Sequence, residues 1–320
     1  MMEKIRDIMR LVRWSNLLFL AALVWLMEKW VATPVLTRAA FGEQMPWYIL
    51  LLLIIATVLI AAGGYVVNDY FDVKIDRINR PDELIVTRSV SKPAAMRLSV
   101  GLSATGVACG LALAVLVRSI TIGSIFILVP GLLWFYSSSY KRLFMIGNLT
   151  IALLAAMTPM MVALTNTALL RARFGELMNY TTLEHDLYAW LGGFALFAFL
   201  LTWIREIVKD MQDREGDREY ECHSMPIVWG ELPTKIFVTA LIILTIAIIG
   251  HLWYHILPFP LEWRCLSTRY IVFGIVIPLL GVLGLLWGAK IPSDYKNCQQ
   301  LVKFTMLLGM LYSFCIVRLL

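Results

Sequence analysis

Nine stretches of this chain are apolar for long enough to cross a bilayer: residues 15–32, 47–67, 95–117, 120–136, 147–166, 187–207, 234–256, 270–289 and 299–318. No other feature narrows the fold as much. Hydrocarbon offers no water to backbone N–H and C=O groups, so runs of about 20 residues must satisfy them within the segment, as helices. The expected fold class is all-α, a polytopic membrane protein with nine transmembrane helices. The 320 residues are 60% hydrophobic and 16% charged, against about 45–50% and 25% in soluble domains. That balance excludes a cytosolic enzyme, a secreted disulfide scaffold and a disordered chain.

The charges that remain are placed unevenly. The net charge is +6, and with the N-terminus on the cytoplasmic side, 20 of the 28 Lys and Arg residues fall on that face. This is the usual topological bias of membrane proteins. No basic tract is interleaved with aromatics, so a nucleic-acid partner is not expected. Residues 1–13 alternate Ile5, Ile8, Met9 and Val12 with Lys4, Arg6, Arg10 and Arg13, the pattern of an amphipathic helix lying on the membrane surface. Cys109, Cys222, Cys265, Cys298 and Cys315 form no CxxC pair and read as small packing residues. His251 and His255, four apart near the end of a span, read as an interfacial polar pair without a local third ligand.

The acids carry the chemistry. Twelve of the 22 Asp and Glu residues lie in two short segments, 68–83 and 205–221, both at the cytoplasmic end of a span. Asn68, Asp72 and Asp76 are four apart, which keeps three oxygen-bearing side chains on one helical face. Glu206, Asp210, Asp213 and Asp217 step by four, three and four, another narrow stripe, with Gly216 expected to loosen the helix before Asp217. Like charges at this spacing repel, and acids at membrane depth are functional by default. Hard oxygen donors at this spacing point to Mg²⁺. Lys74, Arg77, Arg80, Arg205, Lys209, Arg214, Arg218, Lys141 and Arg142 surround the acids, which suits a diphosphate bridged by metal and neutralised by cations. A carboxylate-based transporter is the competing class. It is disfavoured because such proteins place ionisable groups near the bilayer midplane, whereas these acids sit at span ends and mid-span charge is nearly absent.

Asn68-Asp69-Tyr70-Phe71-Asp72-Val73-Lys74-Ile75-Asp76-Arg77-Ile78-Asn79-Arg80-Pro81 resembles the first Asp-rich motif of the UbiA-type intramembrane prenyltransferases. Lys209-Asp210-Met211-Gln212-Asp213-Arg214-Glu215-Gly216-Asp217 resembles their second. Tyr136-Ser137, Lys141 and Gly147-Asn148 are similar to the family's segment between spans four and five, and Arg13-Trp14-Ser15-Asn16 to its start of helix one. The resemblance implies one domain over residues 1–320, a nine-helix bundle around a central cavity, with the two motifs facing each other at its cytoplasmic mouth. It implies two Mg²⁺ ions on the diphosphate of a polyprenyl donor. Asn68, Asp72 and Asp76 would be one ligand set; Asp213 and Asp217 the other, with Asp210 and Glu206 alongside. Arg77, Lys141 and Arg205 would hold the leaving diphosphate. Trp134, Phe135, Tyr136, Phe199 and Trp203 are candidate faces for an allylic cation, though packing or lipid contact is their plainer reading. Arg205-Glu206-Ile207-Val208-Lys209-Asp210 and Glu215-Gly216-Asp217-Arg218 are most similar to the branch that alkylates geranylgeranylglyceryl phosphate from geranylgeranyl diphosphate. Residues 82–89 depart from that branch, leaving an aromatic quinone-precursor acceptor, or an acceptor-free terpene cyclase, as alternatives. The expected location is an integral membrane, the inner one in a bacterium, with the N-terminus and the mouth of the site cytoplasmic.

Overall fold

The computed structural model describes residues 2–255 and 262–319. Met1 of the expected surface helix, Ile256 of the expected seventh span, and the side chains of Lys4 and Glu83 lie outside what is described. Among the described residues, nine helices are long and apolar enough to cross a membrane: Trp14–Arg38, Trp47–Asn79, Lys92–Leu116, Ile120–Ser138, Ile146–Tyr180, Leu183–Gln212, Glu231–His255, Leu266–Gly288 and Pro292–Arg318. The protein is an all-α integral membrane protein. A short helix, Met2–Leu11, precedes the first span. It turns into that span through Arg13, which adopts the left-handed conformation at φ 53°.

Most spans exceed the expected apolar runs, because a helix does not stop where its side chains become polar. The second span is the clearest case. Its 33 residues make a rod about 50 Å long. Trp47 and Tyr48, both exposed, suit a headgroup level. About 20 residues of hydrocarbon from there ends near Asn68, so the first acidic motif rides on the part of the helix that leaves the membrane.

Contacts divide the chain into two compact units. The first comprises residues 1–141 and 157–192, the second residues 142–156 and 193–320. In the first, the second and third spans pack closely enough that a Cβ on Gly63 would lie 2.2 Å from Ser103 Oγ, and Ser99 Oγ donates to Gly63 O at 2.8 Å. Such small-residue contacts take the place of a hydrophobic driving force in lipid. Leu11 of the short N-terminal helix packs with Val66, Val73, Val86 and Ala95, tying that helix to the motif-bearing span. In the second unit, Leu201, Ile204, Val208, Val238, Ile242, Leu279 and Val302 are buried together. A Cβ on Gly309 would come within 2.0 Å of the Phe197 ring.

Two expectations need correction. The first span does not end near residue 32: it runs to Arg38 and carries Glu28 in its interior, fully buried. The second acidic stripe is not one helix loosened at Gly216. The helix stops at Gln212 and a short one, Arg214–Glu219, follows. Asp213 is the joint, at φ −89° and ψ 7°. The bend stays shallow, since Asp213 N–H still donates to Lys209 O at 2.9 Å and Asp217 N–H to Asp213 O at 3.1 Å.

Candidate active site

In the first unit, the period-four face of the second span arrives as a set. Asn68 is buried at 9% exposure, and its Nδ2 donates to Asp72 Oδ2 at 2.7 Å. The other carboxylate oxygen of Asp72 accepts from Lys141 Nζ, which the short 3₁₀ turn Tyr140–Arg142 brings in from 69 residues along the chain. Asp76 follows one turn on, half-buried. Arg77 points elsewhere: one residue past Asp76 it is rotated by about 100°, and it is exposed.

Asp69 lies off the stripe and has its own partner, Arg13 Nη2, at 2.8 Å. The Arg13 guanidinium also stands 4.9 Å from the centre of the Tyr65 ring, so the residue that begins the first span braces the motif through a charge and an aromatic face. Lys92 stands over Tyr70 at 5.6 Å. Beyond the motif, Val86 and Val90 pair as an isolated bridge, with Thr87 at φ 80° between them.

In the second unit, Glu206 is buried at 5% exposure and paired with Arg205, with Lys209 Nζ at 3.8 Å. Asp210 Oδ2 accepts from Asn148 Nδ2 at 2.9 Å. Asp213, at the bend, and Asp217, in the short helix after it, are both half-buried. The bend is held from behind. Arg214 Nη1 donates to Glu231 Oε2 at 3.0 Å, Tyr295 Oη donates to Glu231 Oε1 at 2.7 Å, and Gln299 Nε2 donates to Gln212 Oε1 at 2.6 Å.

The donor sets fit Mg²⁺. Every side-chain donor is a hard oxygen, and Asn68 Oδ1 is buried without a hydrogen-bond partner, as a ligand oxygen on this face would be. Among the described residues no three His, Cys, Asp or Glu side chains converge tightly enough to hold a metal unaided. The first set includes an asparagine, and in the second Asp210 is turned to Asn148. The His251 and His255 rings are tilted at 44° to each other with centres 4.7 Å apart, both exposed.

Trp134, Phe135, Phe199 and Trp203 are each engaged with another ring. Phe71 meets Trp134 edge-on at 5.5 Å, and Phe135 stacks on Tyr140 at 5.9 Å. Phe199 meets Trp203 at 5.6 Å, and Trp203 meets Phe237 at 5.7 Å. The site residues that sequence reasoning passed over are Asn148, Arg13 and Glu231. The first two stand in segments that carry the family resemblance, and nothing local marks Glu231.

A profile of the UbiA prenyltransferase family matches residues 30–309, and the chain belongs to that family. Digeranylgeranylglyceryl phosphate synthase of Methanosphaera stadtmanae is 32% identical over 199 residues, 62% of this chain and 64% of the relative. The synthase of Thermococcus sibiricus is 33% identical over 194 residues, 60% of each chain. The chain thus spans just under two thirds of the length of these relatives. A solved structure described as digeranylgeranylglyceryl phosphate synthase in membranes shares the fold over 99% of both chains, with a TM-score of 0.64 and 23% identity. A UbiA homologue from Archaeoglobus fulgidus bound to GPP and Mg²⁺ shares it over 98% of this chain and 99% of its own, with a TM-score of 0.59 and 14% identity.

Proposed function

We propose that this protein is a Mg²⁺-dependent prenyltransferase that moves a polyprenyl group from an allylic diphosphate to a lipid-soluble acceptor. One observation carries the reading: Asn68, Asp72 and Asp76 share a face at the membrane edge, with Lys141 on Asp72 and an unpartnered buried oxygen on Asn68. Asn68, Asp72 and Asp76 hold one Mg²⁺, and Asp213 and Asp217, with Asp210 and Glu206 alongside, hold a second. When bound, the ions draw charge off the donor's diphosphate.

The chain's own residues do the rest. Lys141 and Arg205 neutralise the diphosphate as the allylic C–O bond breaks and its electron pair leaves with the phosphate oxygen. Apolar walls exclude water that would otherwise quench the carbocation. The acceptor oxygen then bonds to the allylic carbon and loses its proton. Geranylgeranylglyceryl phosphate is the favoured acceptor and geranylgeranyl diphosphate the favoured donor, supported by relatives of that name at 32–33% identity. The family match over residues 30–309 supports a single functional domain. The distribution of Lys and Arg supports a cytoplasmic N-terminus and cytoplasmic motifs.

The test is turnover by purified protein given labelled geranylgeranyl diphosphate with, in parallel, geranylgeranylglyceryl phosphate, 4-hydroxybenzoate or dihydroxynaphthoate. Asp72→Ala and Asp213→Ala are expected to abolish product formation in folded protein, and EDTA to do the same reversibly. Full activity in either variant or in EDTA removes the metal assignment. Diphosphate release without an adduct replaces transfer with cyclisation, and an adduct only on an aromatic acid moves the protein to the quinone-precursor branch.

A further inference from the structure

We infer that the first unit holds an alkali-cation site built around Glu28, distinct from the two acidic motifs. Glu28 stands 14 residues after Trp14, about 21 Å along the first span, and is 0% exposed. Its carboxylate is met by neutral groups. Asn166 Nδ2 donates to Oε2 at 2.6 Å and Thr33 Oγ1 to Oε1 at 3.3 Å. The neighbouring cation is committed elsewhere, since Lys29 Nζ pairs with Glu43. Among the described residues no basic nitrogen forms an ion pair with Glu28. Charge in hydrocarbon is costly without a counter-charge.

The second observation is Asn166 itself. It is 0% exposed, and its Nδ2 is fully used by Glu28 and by Val162 O at 3.1 Å, while its Oδ1 is buried without a partner. The side chain whose amide N–H meets the carboxylate therefore also carries a buried oxygen with no hydrogen-bond partner. The backbone is shaped for this arrangement. Residues Met27–Ala32 form a π-helical turn. On an α-helix Thr33 would be rotated by about 140° from Glu28; the wider turn brings residues five apart into line and sets the hydroxyl beside the carboxylate. One negative charge, an amide oxygen and a hydroxyl oxygen make a hard, singly charged donor set. A monovalent alkali cation balances it, whereas a divalent ion would leave a net positive charge in lipid.

The experiment needs no substrate and is run in EDTA, so its result is independent of the proposed transferase reaction. The thermal midpoint of the purified full chain is measured in NaCl, KCl, LiCl and choline chloride at one ionic strength of about 0.15 M, which holds screening constant. At least one alkali ion is expected to raise the midpoint above choline in a saturable way. That increment should be lost in Glu28→Gln, weakened in Thr33→Val and retained in Asp72→Asn. Equal midpoints in all four salts overturn the site, as does an increment that persists in Glu28→Gln. If Glu28→Gln does not fold, the wild-type salt series and Thr33→Val still decide.

Discussion

Asn148 reaches Asp210 with a single N–H, and that bond fixes which way one acid of the second motif points. Removing a donor from a buried acceptor costs about 1–3 kcal/mol. Asn148→Ala is therefore expected to raise the Mg²⁺ concentration for half-maximal turnover by roughly tenfold while lowering the thermal midpoint in detergent by only a few degrees. A Mg²⁺ titration of initial rate checks it, and an unaltered half-saturation shows that Asp210 needs no orienting. Asn148→Asp should be worse than Asn148→Ala, since it sets a second carboxylate against Asp210. At this scale much of the site is legible in the sequence, because period-four acids announce their shared face whatever surrounds them. The partner of each acid is not. Arg77 is adjacent to Asp76 in the chain, yet Lys141, 69 residues from Asp72, makes the contact, and only the folded loop supplies that proximity.

Helices are held in lipid by close approach, and Gly309 shows how close. Gly309→Leu places a Cβ 2.0 Å from the Phe197 ring, and overpacking of this kind costs about 1–3 kcal/mol. A lower thermal midpoint is expected, partly restored by adding Phe197→Ala. Gly284→Ala meets nothing within 4 Å and should hold or raise the midpoint, because alanine is favoured over glycine inside a helix by about 1 kcal/mol. Equal effects from Gly309→Leu and Gly284→Ala would contradict the packing described here. The nine spans were readable because lipid imposes length and apolarity on each. Their ends were not, since the second span runs 12 residues past its apolar stretch to Asn79. The break at Asp213 was also hidden. Gly216 is the residue that advertises flexibility, but the chain bends three residues earlier, where Arg214 is drawn to Glu231 and Gln212 to Gln299.

For the molecule as a whole, the charge distribution makes a claim about sidedness. In a background with the five native cysteines replaced by serine, Arg88→Cys and Tyr180→Cys place thiols at two exposed positions at opposite ends of spans. A membrane-impermeant maleimide is expected to label Arg88→Cys only in inverted vesicles and Tyr180→Cys only in right-side-out ones. The reverse pattern would turn the protein over in the membrane. Class and family were legible from composition and the two motifs, since both are written in local residues. The division into two compact units was not, because the fifth and sixth spans each contribute to both, and no linker or change of composition marks where they do.

The second span continues about 15–20 Å past the hydrocarbon before it ends at Asn79. A polyprenyl diphosphate presented to Asn68, Asp72 and Asp76 can keep its tail among the acyl chains and its head at the water's edge, the posture it already holds as a free amphiphile. Its supply is then two-dimensional. Rate should follow the mole fraction of donor in the surface, and not its bulk molarity. Adding inert lipid or detergent at constant total donor should slow turnover by dilution within the plane.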